Sequence, residues 1–224
     1  MYKEYFDDID GILAGCLLGD GSIDNNDRYI RMSHTNAQRS YVIFKYNLFL
    51  GLGCVTNKRM DYWRNTNLGR VQYSETVVLP PNLHINHMSV FDLVSIVNPI
   101  GLLLWWLDDG CLSIHHKNNG TSVSRFGYLN TQALDYVANE EVSRILLNRF
   151  GLMTSIHMDK GSGFKGTDCI YYRLYLNATN MRLLIDIVRP FIHMIPNDML
   201  YKLNMAYIPN KLSISQEYAL KYNF

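Results

Sequence analysis

The chain has 224 residues, 48% hydrophobic and 18% charged, with a formal net charge of +1. That composition describes a globular, soluble protein able to bury a sizeable core, as one domain or two small fused ones. The opening segment MYKEYFDDID is acidic and polar, unlike a secretory signal or basic transit peptide, and no apolar run reaches the ~18 residues of a membrane span, so the protein is expected to stay intracellular and off the membrane.

In chain order, the first notable stretch is LAGCLLGDG, Leu13 to Gly21, an apolar helical run ending in a carboxylate and a glycine. An acid there faces the negative end of the helix dipole at a cost of about 0.3–1 kcal/mol, while Gly21 is expected to supply the left-handed cap. Asp20 alone could be a solvated turn residue. The pattern recurs at Leu102 to Gly110, LLLWWLDDG, where Asp109 stands in the position of Asp20. Cys16, Cys54, Cys111 and Cys169 are scattered without CxxC pairing and are expected to be buried free thiols in a reducing compartment.

After the first helix the chain turns basic. Arg28, Arg31, Arg39, Lys45, Lys58, Arg59, Arg64 and Arg70 face a single acid, Asp61, across that window, so a neutral total hides a local basic surface. In RYIRMSHT, Ile30 and Met32 alternate with Tyr29, Arg31, Ser33 and Thr35, the period of a strand with one buried face. A helix over 39–50 follows, then strands near 52–60 and 69–79. In the last of these Val71, Tyr73 and Val77 are expected inward, with Arg70, Gln72, Ser74 and Thr76 outward. A basic, amide and hydroxyl face suits phosphates and base edges in a major groove.

The second half repeats this order. CLSIHHK and SRFGYLNTQ read as strands, NEEVSRILLNRFGL as a helix, MTSIHMD and CIYYRLYLN as strands and NMRLLIDIVRPF as a helix. Parity turns Ser155, His157 and Asp159 outward, and likewise Tyr171, Arg173 and Tyr175, against inward Ile170, Tyr172, Leu174 and Leu176. Parity is ambiguous in SRFGYLNTQ, where Asn130 and Gln132 are the candidate contacts. The halves divide as 1–98 and 99–224.

These residues resemble the LAGLIDADG homing endonucleases of the monomeric type that carries both motifs in one chain. ILAGCLLGDGSI fits the first motif closely, LLLWWLDDG fits the second more loosely, and PNDMLYKL resembles the segment that carries a lysine of the catalytic region. The resemblance implies an α+β fold, a pseudo-twofold duplicated αββαββα arrangement in which paired motif helices sit between two antiparallel saddle sheets on DNA. It also implies cleavage of both strands across the minor groove of a long, near-asymmetric double-stranded site. Ala14, Gly15 and Gly19 would let the helix backbones approach. The bulky Leu104, Trp105 and Trp106 either pack against that small face or point into their own half.

Two carboxylates brought together at like dipole ends repel, and a divalent cation compensates them. Oxygen-only ligation suits Mg²⁺, or Mn²⁺, held by Asp20 and Asp109 with help from backbone carbonyls near Gly19 and Asp108. Register favours Asp109 over Asp108 as the side-chain ligand. Lys202 matches the family's lysine, whereas the first half offers no clear counterpart: TVVLPPNL lacks a lysine, leaving Lys58, Arg70 or His84 to substitute. The expected function is that of an intron-encoded, site-specific DNA endonuclease. An intron RNA maturase or a non-cleaving binding module is the alternative. HNH, HExxH, GxSxG and glycine-rich phosphate-loop patterns are lacking. The Asn-, Tyr- and Ile-rich wording suggests an AT-rich coding sequence, as in a mitochondrial, chloroplast, phage or other prokaryotic genome.

Overall fold

The computed structural model describes residues 8–23, 29–52, 54–65, 70–78, 85–116, 123–162 and 168–203; of several strand residues, 55–65 and 70–77 among them, only the backbone is described. The elements are α1 (Ile9–Leu18), β1 (Gly21–Ile23), β2 (Tyr29–Thr35), α2 (Arg39–Gly51), β3 (Val55–Asn65), β4 (Arg70–Val78), α3 (Val90–Ile96) and α4 (Pro99–Asp109). They continue as β5 (Gly110–His116), β6 (Val123–Leu129), α5 (Tyr136–Phe150), β7 (Ser155–Ser162), β8 (Asp168–Leu176) and α6 (Ala178–Val188), followed by 3-10 turns at Arg189–Met194 and Asn197–Lys202. The strands form two four-stranded antiparallel sheets with the same internal order, β1-β2-β4-β3 and β5-β6-β8-β7. This is the expected α+β class. The short elements β1 and α3 are additions to the sequence reading. Among the described residues no helix is long and apolar enough to cross a membrane.

The chain forms two compact units, Met1–Asp108 with Val188–Phe224 and Asp109–Ile187. In the first, α1 and α4 are tied at their starts. Asp8 caps α1 through Gly11 N–H at 3.0 Å; Asn98 donates to the Asp8 carbonyl at 3.0 Å and accepts Gly101 N–H at 2.9 Å. The helices then run in backbone contact: a Cβ on Gly15 would lie 2.0 Å from the Gly101 carbonyl oxygen, and one on Gly101 would lie 2.0 Å from that of Gly11. Any side chain there would force the pair apart. Thus Gly101 makes the close approach to the small face of α1. Trp105 and Trp106 are buried, and Trp106 Nε1 donates to the Lys202 carbonyl at 2.9 Å.

Gly21 is not a left-handed cap. Among the described glycines only Gly151 has a positive φ, 69°, at the end of α5. Gly21 instead opens β1, where a Cβ would sit 2.5 Å from the Cys16 carbonyl oxygen. The cysteines divide: all four are free, Cys16 and Cys54 buried, but Cys111 and Cys169 exposed, since both lie on strands whose outer face is open.

In the second unit α5 is capped by Asp135, which accepts Ala138 N–H at 2.8 Å, and buries Asn139, Val142, Ile145 and Leu146. Ile170 is 58% exposed and Met158 56%, against the inward orientation expected from alternation. The register explains this: β8 pairs with β6 only through Leu174–Leu176, whereas β7 and β8 pair out to Ser162 and Asp168, so their far end is a two-stranded ribbon beyond the sheet.

Candidate active site

The ends of α1 and α4 create a cluster of ionisable groups in the first unit. Gly19 allows it, because a Cβ there would lie 2.4 Å from Asp108 Oδ2. In that space Asp108 accepts the backbone N–H of Asp20 at 3.1 Å. The Asp108 side chain is fully buried, and Lys45 Nζ, also fully buried, donates to its two oxygens at 2.7 and 2.8 Å. Lys45 comes from α2, where it sits among Tyr41, Val42, Leu48 and Phe49 on the buried face. Its Nζ also lies 3.1 Å from His34 Nε2 and 4.5 Å from the centre of the Tyr41 ring. His34, on the inward face of β2 with Ile30 and Met32, presents Nδ1 to Asp20 Oδ2 at 3.4 Å. Lys202 Nζ donates to the Asp108 carbonyl at 2.9 Å.

The electrostatics follow from burial and these neighbours. Burial, and then the Asp108 carboxylate, raise the Asp20 pKa, while Lys45 and Lys202 oppose the rise. Burial, and then the Lys45 charge, push His34 down to about 4, so it is neutral at neutral pH. Burial alone would push the Cys16 thiol up strongly; with its charged neighbours included it stands at about 12, inert as a nucleophile at neutral pH.

Asp20, His34 and Asp108 each offer a ligand atom within 4.8 Å of the others. The donor set fits a hard cation at Asp20, whose side chain is 47% exposed and whose raised pKa a cation would relieve. The Asp108 carboxylate is already compensated by Lys45. In the second unit Asp109 accepts Asn130 N–H on its carbonyl at 3.1 Å, and the buried Asn130 Oδ1 lacks a hydrogen-bond partner among the described residues. An unmatched amide oxygen beside an acid is likewise suited to a hard cation.

Within the first unit the structure sets the Asp108 carboxylate against the Asp20 backbone N–H. Asp109 belongs to the second unit. Of the expected contact residues, Arg31 and Thr35 are exposed and Tyr29 and Ser33 half-buried on the outer face of β2. The side chains of Lys58, Arg70, Gln72 and Ser74 lie outside the described residues, as does His84. Asn130 and Gln132 are not strand residues, because β6 ends at Leu129 and a turn follows. His157, Tyr171 and Arg173 are half-buried on the second sheet; His157 stacks on Tyr175 at 4.3 Å, and Arg173 pairs with Asp159 and covers the Tyr128 ring at 4.2 Å. Sequence reasoning missed His34 and counted Lys45 as surface charge. The signal was there: Lys45 occupies a core position in the helical spacing of Tyr41, Val42, Leu48 and Phe49.

Residues 10–184 match the LAGLIDADG DNA endonuclease family. Among curated proteins none matches the chain significantly in sequence. Among solved structures, the homing endonuclease I-WcaI bound to its DNA recognition sequence aligns at 18% identity over 90% of this chain and 91% of its own, with a TM-score of 0.61. The N-terminal LAGLIDADG domain of DUF199/WhiA aligns at 14% identity over 82% and 81%, with a TM-score of 0.46. The match spans well over half of the sequence, and the chain belongs to the LAGLIDADG DNA endonuclease family.

Proposed function

We propose that this chain is a site-specific double-strand DNA endonuclease of the intron-encoded homing type, acting as a monomer built of repeats 1–98 and 99–224, with an acidic centre in each. The observation that carries the reading is the backbone contact of α1 and α4, which delivers the open carboxylate of Asp20 to a pocket otherwise closed by an ion pair.

Asp20, with the backbone at Gly19 and Asp108, would hold the divalent cation of one centre. Asp109, with Asn130 supplying an amide oxygen, would hold that of the other. A Mg²⁺ or Mn²⁺ held there would supply polarisation of the scissile phosphate and a lowered pKa for water. Lys202 places an ammonium beside Asp20, where it offsets charge developing on the phosphate or the attacking water. Arg31, Ser33, Thr35 and Tyr29, with Lys58, Arg70, Gln72 and Ser74, form the contact face of the first half. His157, Tyr171 and Arg173 serve the second, and Gln132 its rim.

A second reading, assistance to intron RNA, draws support from the outer face of the second sheet. There Phe126, Tyr128, His157 and Tyr175 form a continuous aromatic cluster, a surface suited to stacking unpaired bases. The test is to offer purified protein a randomised double-stranded DNA library with Mg²⁺ and sequence the cut ends. Recovery of a single long site with short 3′ overhangs is expected; protein that binds DNA or RNA but never cuts overturns the endonuclease reading.

A further inference from the structure

The buried ion pair under Asp20 has no part in holding the cation proposed above, and its geometry gives it a different task. Both Asp108 oxygens receive Lys45 Nζ, at 2.7 and 2.8 Å, and Oδ2 also receives the Asp20 N–H at 3.1 Å. The carboxylate has no exposed surface, and a hydrated Mg²⁺ keeps several of its waters, so this group is closed to it. Lys45 is equally constrained, between Asp108, His34 Nε2 at 3.1 Å and the Tyr41 ring.

An ammonium only donates, so His34 Nε2 accepts and the imidazole proton resides on Nδ1. That Nδ1–H faces Asp20 Oδ2 at 3.4 Å, with the Gln38 side chain as a further polar neighbour. Lys45 therefore orients both groups that touch Asp20: Asp108, which fixes its backbone, and His34, which faces its carboxylate.

Resting on the endonuclease reading, we propose that Lys45 and the Asp108 carboxylate are positioning groups that set Asp20 for catalysis, the carboxylate serving as acceptor for the Asp20 N–H and not as a cation ligand. Removing the pair as a unit, so that no charge is left buried alone, tests this. Lys45→Met/Asp108→Asn keeps an acceptor for the Asp20 N–H; Lys45→Met/Asp108→Leu removes it. Mn²⁺ affinity by electron paramagnetic resonance is expected to stay within about threefold of wild type in the Asn pair and to be lost in Asp20→Asn. In the Leu pair the Asp20 amide proton should shift upfield and exchange faster. Its kcat with Mg²⁺ should fall roughly 100-fold at unchanged KM for DNA, the cost of misplacing one group.

Loss of Mn²⁺ binding in the Asn pair as complete as in Asp20→Asn would make Asp108 a ligand and overturn the proposal, as would an unshifted Asp20 amide or wild-type kcat in the Leu pair. Should the Leu pair fail to fold, the Asn pair carries the amide measurement: a smaller upfield shift supports the proposal and none overturns it. If wild type cuts no DNA, the endonuclease reading falls, while the amide shift still reports whether the pair sets this backbone.

Discussion

Helices α2 and α5 hold corresponding places, each between the second and third strands of its half in chain order, and their buried faces share one spacing. In α2 it is Val42, Lys45, Leu48 and Phe49; in α5 it is Asn139, Val142, Ile145 and Leu146. The same core position therefore carries a lysine in the first half and a valine in the second. A lysine is tolerated there only because Asp108 reaches it, and the second half makes no such demand. Its own polar core residue, Asn139, is satisfied locally by Thr131 Oγ1 and the Leu134 and Asp135 carbonyls. The lesson is that the duplication preserved packing geometry while charge was concentrated in one half.

The largest effect expected separates what the halves share from what they do not. Asp20→Asn and Asp109→Asn should each lower double-strand cleavage by roughly 100-fold or more while DNA binding holds, measured in single turnover on end-labelled DNA. Wild-type cutting by either variant would leave only one half acidic in function.

Next in size is the helix position itself. Lys45→Met strands the Asp108 charge and should cost about 3–5 kcal/mol in urea unfolding, whereas the valine in the matching place, changed as Val142→Ala, should cost roughly 2 kcal/mol. Equal costs would mean that the two positions are energetically alike after all.

His34 sharpens the contrast through pH. Its folded pKa of about 4 lies below the ordinary 6.5, so the unfolded chain binds more protons between those values. The stability it contributes is present above pH 6.5 and is lost as pH falls toward 4, up to roughly 3 kcal/mol over the window. Metal-free wild type should lose melting temperature between pH 7 and 5 more steeply than His34→Gln; parallel curves would show that the histidine does not titrate with folding.

The smallest effect concerns the two proposed cleavage centres. With the Lys202 ammonium beside Asp20, strand rates should differ by roughly tenfold, about 1.4 kcal/mol, so nicked plasmid should accumulate before linear product. Lys202→Met should alter that ratio more than binding. Direct conversion to linear DNA in both proteins would make the centres equivalent.

The sequence made the repeated motifs, both sheets and the principal helices legible because alternation and helical spacing report burial directly. Ile30, Met32 and Val142 lie as their periods require. Long-range charge pairing is invisible to such patterns: Lys45 and Asp108 are 63 residues apart, and nothing local tells a buried lysine from a solvated one. The contact of the Asp108 carboxylate with the Asp20 backbone was hidden for a similar reason. Matching the motifs residue by residue assumes both helices end at the same rotation, but α4 continues through Asp109 whereas α1 stops at Leu18, and each added residue turns the side chain by about 100°.

The C-terminal turns bear on how the protein is made. Ser40 donates to Asp198, Gln38 to Met199, Trp106 to the Lys202 carbonyl and Lys202 to the Asp108 carbonyl, joining residues up to 161 apart in one unit. Chains emerge from the ribosome N-terminus first, so α1, α2 and α4 are synthesised well before the segment that seals them. The nascent polypeptide thus lacks the Lys202 ammonium until about a hundred residues beyond the start of α4 have been added, and a product terminated before residue 198 carries the Asp20 carboxylate without it. Synthesis of the 198–202 turn is the step that closes this cluster around Asp20 and Asp108.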